Sequence, residues 1–137
     1  MLKSLLVKDY MSETLIRFKP ETEVFEAADK LIEYKLTGAP VVDEHQRVIG
    51  FLSEKDCLKT ILSAAYLSDH GATVRDLMMS PVKTVDPEDS IVEVAEKFFK
   101  DNCRMYPVLD EEVLVGFISR RDILRALEVI STPERSS

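Results

Sequence analysis

Tryptophan is absent from this chain of 137 residues, glycine occurs four times, and cysteine and histidine occur twice each. Apolar runs never exceed a handful of residues, so no segment reads as a membrane-spanning helix, which needs roughly 20 of them. Cys57 and Cys103 stand far apart, with no CxxC and no neighbouring histidine pair, so the sequence carries neither a zinc motif nor a disulfide framework. Both read as small buried hydrophobes, with a free reactive thiol as the alternative. His45 and His70 are equally isolated. Basic residues are also in deficit: a net charge of −7 repels a phosphate backbone and argues against nucleic-acid binding.

What is present is the composition of a folded protein. Hydrophobic residues make up 45% and charged ones 31%, with six prolines, the balance of a globular chain and not of a disordered tail. A chain of this length hides roughly two-thirds of its unfolded surface, enough for a core. The opening MLKSLLVKDY places Asp9 directly behind its apolar residues and offers no small-residue cleavage site. It reads as mature protein, and the cytoplasm is the expected location.

The chain repeats itself. "VKDYMS" at 7–12 returns as "VRDLMM" at 74–79, "KPETEV" at 19–24 as "DPEDSI" at 86–91, and "PVVD" at 40–43 as "PVLD" at 107–110. The offset is 67 up to that point and 66 at the phrases "GFLSEKD" (50–56) and "GFISRRD" (116–122), so one residue is missing from a turn. Sixteen of 49 aligned positions are identical, too many for chance. The chain is therefore a tandem duplicate.

Each copy reads alike in local structure. A β-rich stretch (Leu15, Ile16 and Phe18; Val82, Thr84 and Val85) precedes a proline and then a helix. The helices carry apolar residues at 24, 27, 28 and 31 and at 91, 94, 95 and 98, one buried stripe each. Ser90 and Glu93 have capping-box spacing. Two apolar strands joined by a short charged turn follow, and a second helix begins after Ser53 and after Ser119. The predicted unit is βαββα, and the predicted division is repeat 1 with its N-terminal segment at 1–66, a linker at 67–73, repeat 2 at 74–130 and a flexible tail at 131–137. The helix entering the linker is expected to stop near Gly71. A single unit leaves a sheet face uncovered. The expected fold is thus α/β (α+β), two repeats packed sheet to sheet about a pseudo-twofold axis.

The repeated phrase has two readings on its own. Ser53 with Asp56, and Ser119 with Asp122, approach a capping box that satisfies orphan amides and needs no ligand. Gly50 and Gly116 fit a bulge or a close backbone crossing. The phrase, the repeat and the element order together resemble the tandem CBS module, or Bateman module, named after cystathionine β-synthase, over about Val7 to Arg125. The resemblance implies composite clefts for adenosine-containing ligands. One would join Ser119, Arg121 and Asp122 to Thr14, Ile16, Leu36, Thr37, Gly38 and Pro40. The other would join Ser53, Lys55 and Asp56 to Val82, Lys83, Cys103, Arg104, Met105 and Pro107.

The chemistry of the phrase suits such a ligand, since a carboxylate accepts from ribose hydroxyls and a helix N-terminus favours a phosphate. Arg120 and Arg121 stand where the first copy has Glu54 and Lys55, so the Asp122 cleft is expected to be the stronger for phosphorylated ligands. No catalytic constellation stands out, and no catalytic cofactor is expected. The expected function is regulatory: AMP, ADP or ATP bound as a signal, a homodimer, and action in trans on a target protein the sequence does not identify. The alternatives are a scaffold without a nucleotide and an S-adenosylmethionine sensor. No nucleic-acid or membrane partner is expected.

Overall fold

The computed structural model describes residues 4–13, 16–67 and 71–133, without the side chains of 64–67. It is a mixed α/β chain with two small antiparallel sheets. Its elements are a 3-10 turn at Val7–Asp9, α1 Val24–Glu33, β1 Gly38–Val42, β2 Val48–Ser53, α2 Glu54–Leu67, α3 Val74–Leu77, α4 Ile91–Lys100, β3 Met105–Asp110, β4 Val113–Ser119 and α5 Arg120–Ser131. Contacts group the chain into two compact units, Ile16–Val82 and Met1–Leu15 with Lys83–Ser137. Sequence repeats and compact units are therefore different divisions. The opening segment of each repeat belongs to the unit that holds the other repeat's hairpin.

The Ile16–Val82 unit pairs β1 with β2 antiparallel, Gly38 opposite Ser53 and Val41 opposite Gly50. Its helix α1 forms because Val24, Ala27 and Leu31 recur on one face and are buried. Lys35, with φ 55°, then turns the chain out of the helix. The expected first strand shrinks to one residue, Phe18, bridged in parallel to Val41. Its amide donates to Pro40 O at 3.0 Å and its carbonyl accepts from Val42 N at 2.9 Å. Phe18, Val24, Leu31, Leu52, Cys57 and Val74 share the core.

The second unit repeats this plan. Met105 pairs with Ser119 and Val108 with Gly116, and Val85 bridges Val108 as Phe18 bridges Val41. The shorter hairpin turns through Glu111 and Glu112 at φ 48° and 70°, the all-left-handed geometry that suits a two-residue connection. Ser90 caps α4 by accepting from the amides of Val92 and Glu93, a cap without the reciprocal half of the box. Val7, Ile91, Tyr106, Ile118 and Ile123 lie in its core.

The exchanged segments are hydrogen-bonded in matching ways. Val7 and Lys8 donate to Asp89 O and Pro87 O, while Val74 and Arg75 donate to Thr22 O and Pro20 O. Helix starts leave amides without intrahelical partners. Here Ile91 N finds Leu5 O at 2.7 Å, and Val24 N finds Ala72 O at 3.1 Å. Val7 and Val74 are fully buried, each contributing about 1.5–3 kcal/mol of hydrophobic free energy. Further along, Ser12 bridges Phe117 and Met79 bridges Phe51. The glycine beside each bridge admits the crossing segment: a Cβ on Gly116 would meet Ser12 O at 2.6 Å, and one on Gly50 would meet Met78 Sδ at 2.4 Å. Both readings of these glycines hold, since the strand register also shifts beside each of them, between Val41 and Val42 opposite Gly50 and between Val108 and Leu109 opposite Gly116.

A polar cluster pins β3 to the end of α4. Tyr106, buried against Phe98 with ring centroids 4.5 Å apart, donates its hydroxyl to Asp101 Oδ2 at 2.7 Å, and Lys83 donates to Asp101 Oδ1. The Lys83 hydrogen bond first, and the Tyr106 hydroxyl second, hold the Asp101 carboxyl below its ordinary value. Burial first, with the Asp101 bond, pushes the Tyr106 phenol far up. The phenol stays neutral and serves as a donor.

Two outcomes follow from these contacts. Gly116→Ala, which meets backbone, should lower stability by about 1–3 kcal/mol, and Gly50→Ala, which meets a flexible methionine side chain, by less; denaturant midpoints read both. Because the folded-state value of Asp101 is depressed, its stabilisation is present above the unfolded carboxyl value of about 3.9 and is lost as pH falls through the folded value. The melting-temperature gap between wild type and Asp101→Asn should therefore be open at about pH 6 and close as pH falls below about 4.

Candidate functional site

Each hairpin delivers its last strand directly into a helix, and the repeated phrase lies on that junction. In the Ile16–Val82 unit, β2 ends at Ser53 and α2 starts at Glu54. Ser53 Oγ accepts from Asp56 N at 3.1 Å and donates to Asp56 Oδ2 at 2.8 Å. Glu54 N donates to Thr37 O at 2.8 Å, and Gly38 pairs with Ser53, so Thr37 and Gly38 sit at the mouth of this helix. Asp56 is half-buried, while Glu54 and Lys55 are exposed. No second partner of the Asp56 carboxylate occurs among the described residues.

Not every candidate of this unit gathers there. Ile16 packs against the core, and Pro40 is buried with its carbonyl committed to Phe18 N. Leu36 and Thr37 line an apolar cavity of about 400 Å³ between α1 and α2, together with Leu31, Cys57, Leu58 and Ile61. Burial first, and Asp56 second, push the Cys57 thiol up, which keeps it protonated and unreactive. Val82 is half-buried. Thr14 lies outside the described residues.

In the other unit the junction is tighter. Ser119 N donates to Asp122 Oδ2 at 2.9 Å, and Asp122 N donates to Ser119 Oγ at 3.1 Å, a complete capping box on α5. The second carboxylate oxygen of Asp122 accepts from Arg125. Asp122 is only 6% exposed, the one buried charged residue among those described. Arg120 N donates to Arg104 O at 3.2 Å, and Met105 opposite Ser119 is buried, as is Pro107. The side chains of Arg104, Arg120 and Arg121 are exposed. Lys83 is exposed and paired with Asp101, and Cys103 packs beside Tyr106 at the edge of the core.

The two junctions can therefore do different chemistry. Among the described residues one oxygen of Asp56 accepts a hydrogen bond, from Ser53, whereas each oxygen of Asp122 already accepts one. The sequence-based expectation of a stronger Asp122 site rested on Arg120 and Arg121, whose side chains are exposed, and the arginine that meets the carboxylate is Arg125 instead. Sequence reasoning missed Asp101, Tyr106 and Arg125. Of these, Arg125 carried a signal, an opposite charge three residues after Asp122 on a helix.

Among the described residues, no cluster of three or more His, Cys, Asp or Glu is placed to hold a metal ion. Nor is any helix among them long and apolar enough to cross a membrane.

The CBS domain profile matches this chain twice, at residues 7–63 and 74–129. The crystal structure of CBSX2 in complex with AMP superposes with a TM-score of 0.82 at 29% identity, covering 94% of this chain and all of that one; CBSX2 from Arabidopsis thaliana gives 0.81 at 28%, covering 96% of this chain and all of that one. The CBS domain pair of protein MJ0100, in complex with 5-methylthioadenosine and S-adenosyl-L-methionine, gives 0.78 at 30%, covering 90% and 96%. In sequence, L-aspartate semialdehyde sulfurtransferase of Methanocaldococcus jannaschii is 31% identical over 121 residues, 88% of this chain but 23% of that protein. The inosine-5'-monophosphate dehydrogenase of Aquifex aeolicus is 32% identical over 112 residues, 80% and 22%. The chain thus spans about a quarter of the length of these two curated relatives. Two profile matches over most of the chain, on the hairpin and helix units described above, make it a member of the CBS domain family, carrying the domain as a tandem pair.

Proposed function

We propose that this CBS pair is a regulatory module that binds adenosine-containing ligands, AMP, ADP or ATP, through Asp56 and Asp122. The observation that carries the reading is a carboxylate held at a helix N-terminus beside a serine, built twice from the same phrase. An ionised carboxylate accepts from two vicinal hydroxyls, such as the 2'- and 3'-hydroxyls of a ribose, and each shielded charged bond contributes about 1.5–3 kcal/mol. The helix end favours an anion in the same place. Strand residues implied by the resemblance, Thr37 and Arg104 among them, supply the remaining contacts in this proposal, with Lys55 and Arg121 available for phosphate. That CBSX2 was crystallised with AMP, and the MJ0100 pair with S-adenosyl-L-methionine, supports the ligand class.

The ligand acts as a signal. It shifts the module only by its differential affinity for two arrangements, and a partner protein reads the shift. A second copy of the chain is the proposed immediate partner. Each unit by itself leaves apolar side chains in solvent on its helices: Ile32 at 75% exposure, with Leu58 and Leu62, and Phe99 at 90%, with Leu124. Exposed apolar area of that kind marks an interaction surface.

A second reading is a scaffold with no nucleotide. The complete capping box at Ser119 and Asp122 favours it, since that pair is satisfied without a ligand. Titration calorimetry against AMP, ADP, ATP and S-adenosylmethionine separates the two. Binding should raise the melting temperature by about 5–10 °C near saturation, and Asp56→Ala should weaken the affinity by about 10- to 100-fold. Heat-silent titrations and an unmoved melting point with all four ligands would leave the scaffold. By sedimentation, Phe99→Glu should shift the protein from dimer to monomer.

A further inference from the structure

We infer that Arg125 is a latch on Asp122: it occupies the carboxylate when no sugar is bound, and on release it swings to Asp9 in the same cavity. This rests on the reading of Asp122 as a ligand contact, and it adds that the two sites are unequal and that one reports its occupancy to the N-terminal segment.

Helical spacing alone does not account for the pair. Lys59 stands at the position equivalent to Arg125, three residues after Asp56 and with the same charge, yet no Lys59–Asp56 bond forms among the described residues. What differs is the carboxylate. Asp122 is buried with Oδ2 held by the Ser119 amide, so Oδ1 faces a fixed direction and Arg125 fills it. A sugar diol needs that same oxygen. A diol therefore competes at Asp122 with a charge-assisted bond that Asp56 lacks among the described residues.

The displaced guanidinium has somewhere to go. A cavity of about 300 Å³ is lined by Asp9, Tyr10, Met11, Asp122, Arg125 and Val129. It thus holds a second carboxylate. Asp9 is exposed, and among the described residues its side chain accepts from Ser4 Oγ alone, one of the several hydrogen bonds a carboxylate can accept. Arg125 itself is exposed at 67%, so little packing opposes the swing. Asp9 ends the 3-10 turn whose first residue, Val7, is buried in this unit's core. An arginine that leaves Asp122 for Asp9 changes the charge pairing of the opening segment.

The test uses adenosine, which has the diol and no phosphate, in calorimetry on full-length protein with the other site silenced by Asp56→Ala. Adding Arg125→Ala should tighten binding by about fivefold, with Arg125→Lys in between. Asp9→Asn should weaken binding by about twofold while Arg125 is present and have no effect once it is removed, a coupling that a merely structural role would not produce. Melting temperatures confirm folding of each variant. Equal affinity with and without Arg125, or adenosine binding to wild type that vanishes in both Asp56→Ala proteins, overturns the latch and leaves adenosine binding standing. Failure of wild type to bind adenosine, AMP or ATP at all overturns the reading of Asp122 and the latch with it.

Discussion

The exchange of opening segments is the constraint on which the rest of the structure depends. Val7 and Val74 fill the cores of units that hold the other repeat's hairpin, and the backbone beyond each of them crosses a strand edge beside a glycine. Without that crossing, the first-turn amides of α1 and α4 would lose Ala72 O and Leu5 O, and buried amides without partners are costly. The exchange also makes the two units a single covalent circuit. Neither can form its core from one unbroken repeat.

The ligand chemistry proposed for the chain grows out of a local stability device. A strand that runs straight into a helix needs a cap, and serine with an acid three residues later provides it. At Ser119 the device is complete, and at Ser53 it is partial. The same carboxylate that satisfies amides can satisfy hydroxyls, so capping and binding draw on one set of lone pairs. A site with a weaker cap has more to give a ligand.

The repeats diverged where packing allowed it. Ala39 became Tyr106 in the equivalent strand position, and Ile16 and Tyr34 became Lys83 and Asp101. The larger buried ring then required a partner for its hydroxyl, which Asp101 provides with Lys83 behind it. In the first unit the equivalent positions hold Ala39, which is buried, and Ile16, which packs against the core. Two copies of one fold thus present different chemistry on matching scaffolds.

The duplication, the helix stripes at 24, 27 and 31 and at 91 and 94, the hairpins and the helix starts after Ser53 and Ser119 were all legible in the sequence, because each rests on spacing within a few residues. Capping and amphipathicity are local, so a local pattern specifies them. The collapse of the first strand to a single bridge at Phe18 and Val85 was not legible, since a β-rich stretch becomes a strand only if a neighbour offers a matching edge. Nor was the traffic of 7–12 and 74–79 between units, or the capture of Asp122 by Arg125 while Lys59 stays away from Asp56. The traffic depends on contacts across dozens of residues, and the capture on the burial of Asp122, which the shared i,i+3 spacing of the two pairs does not report.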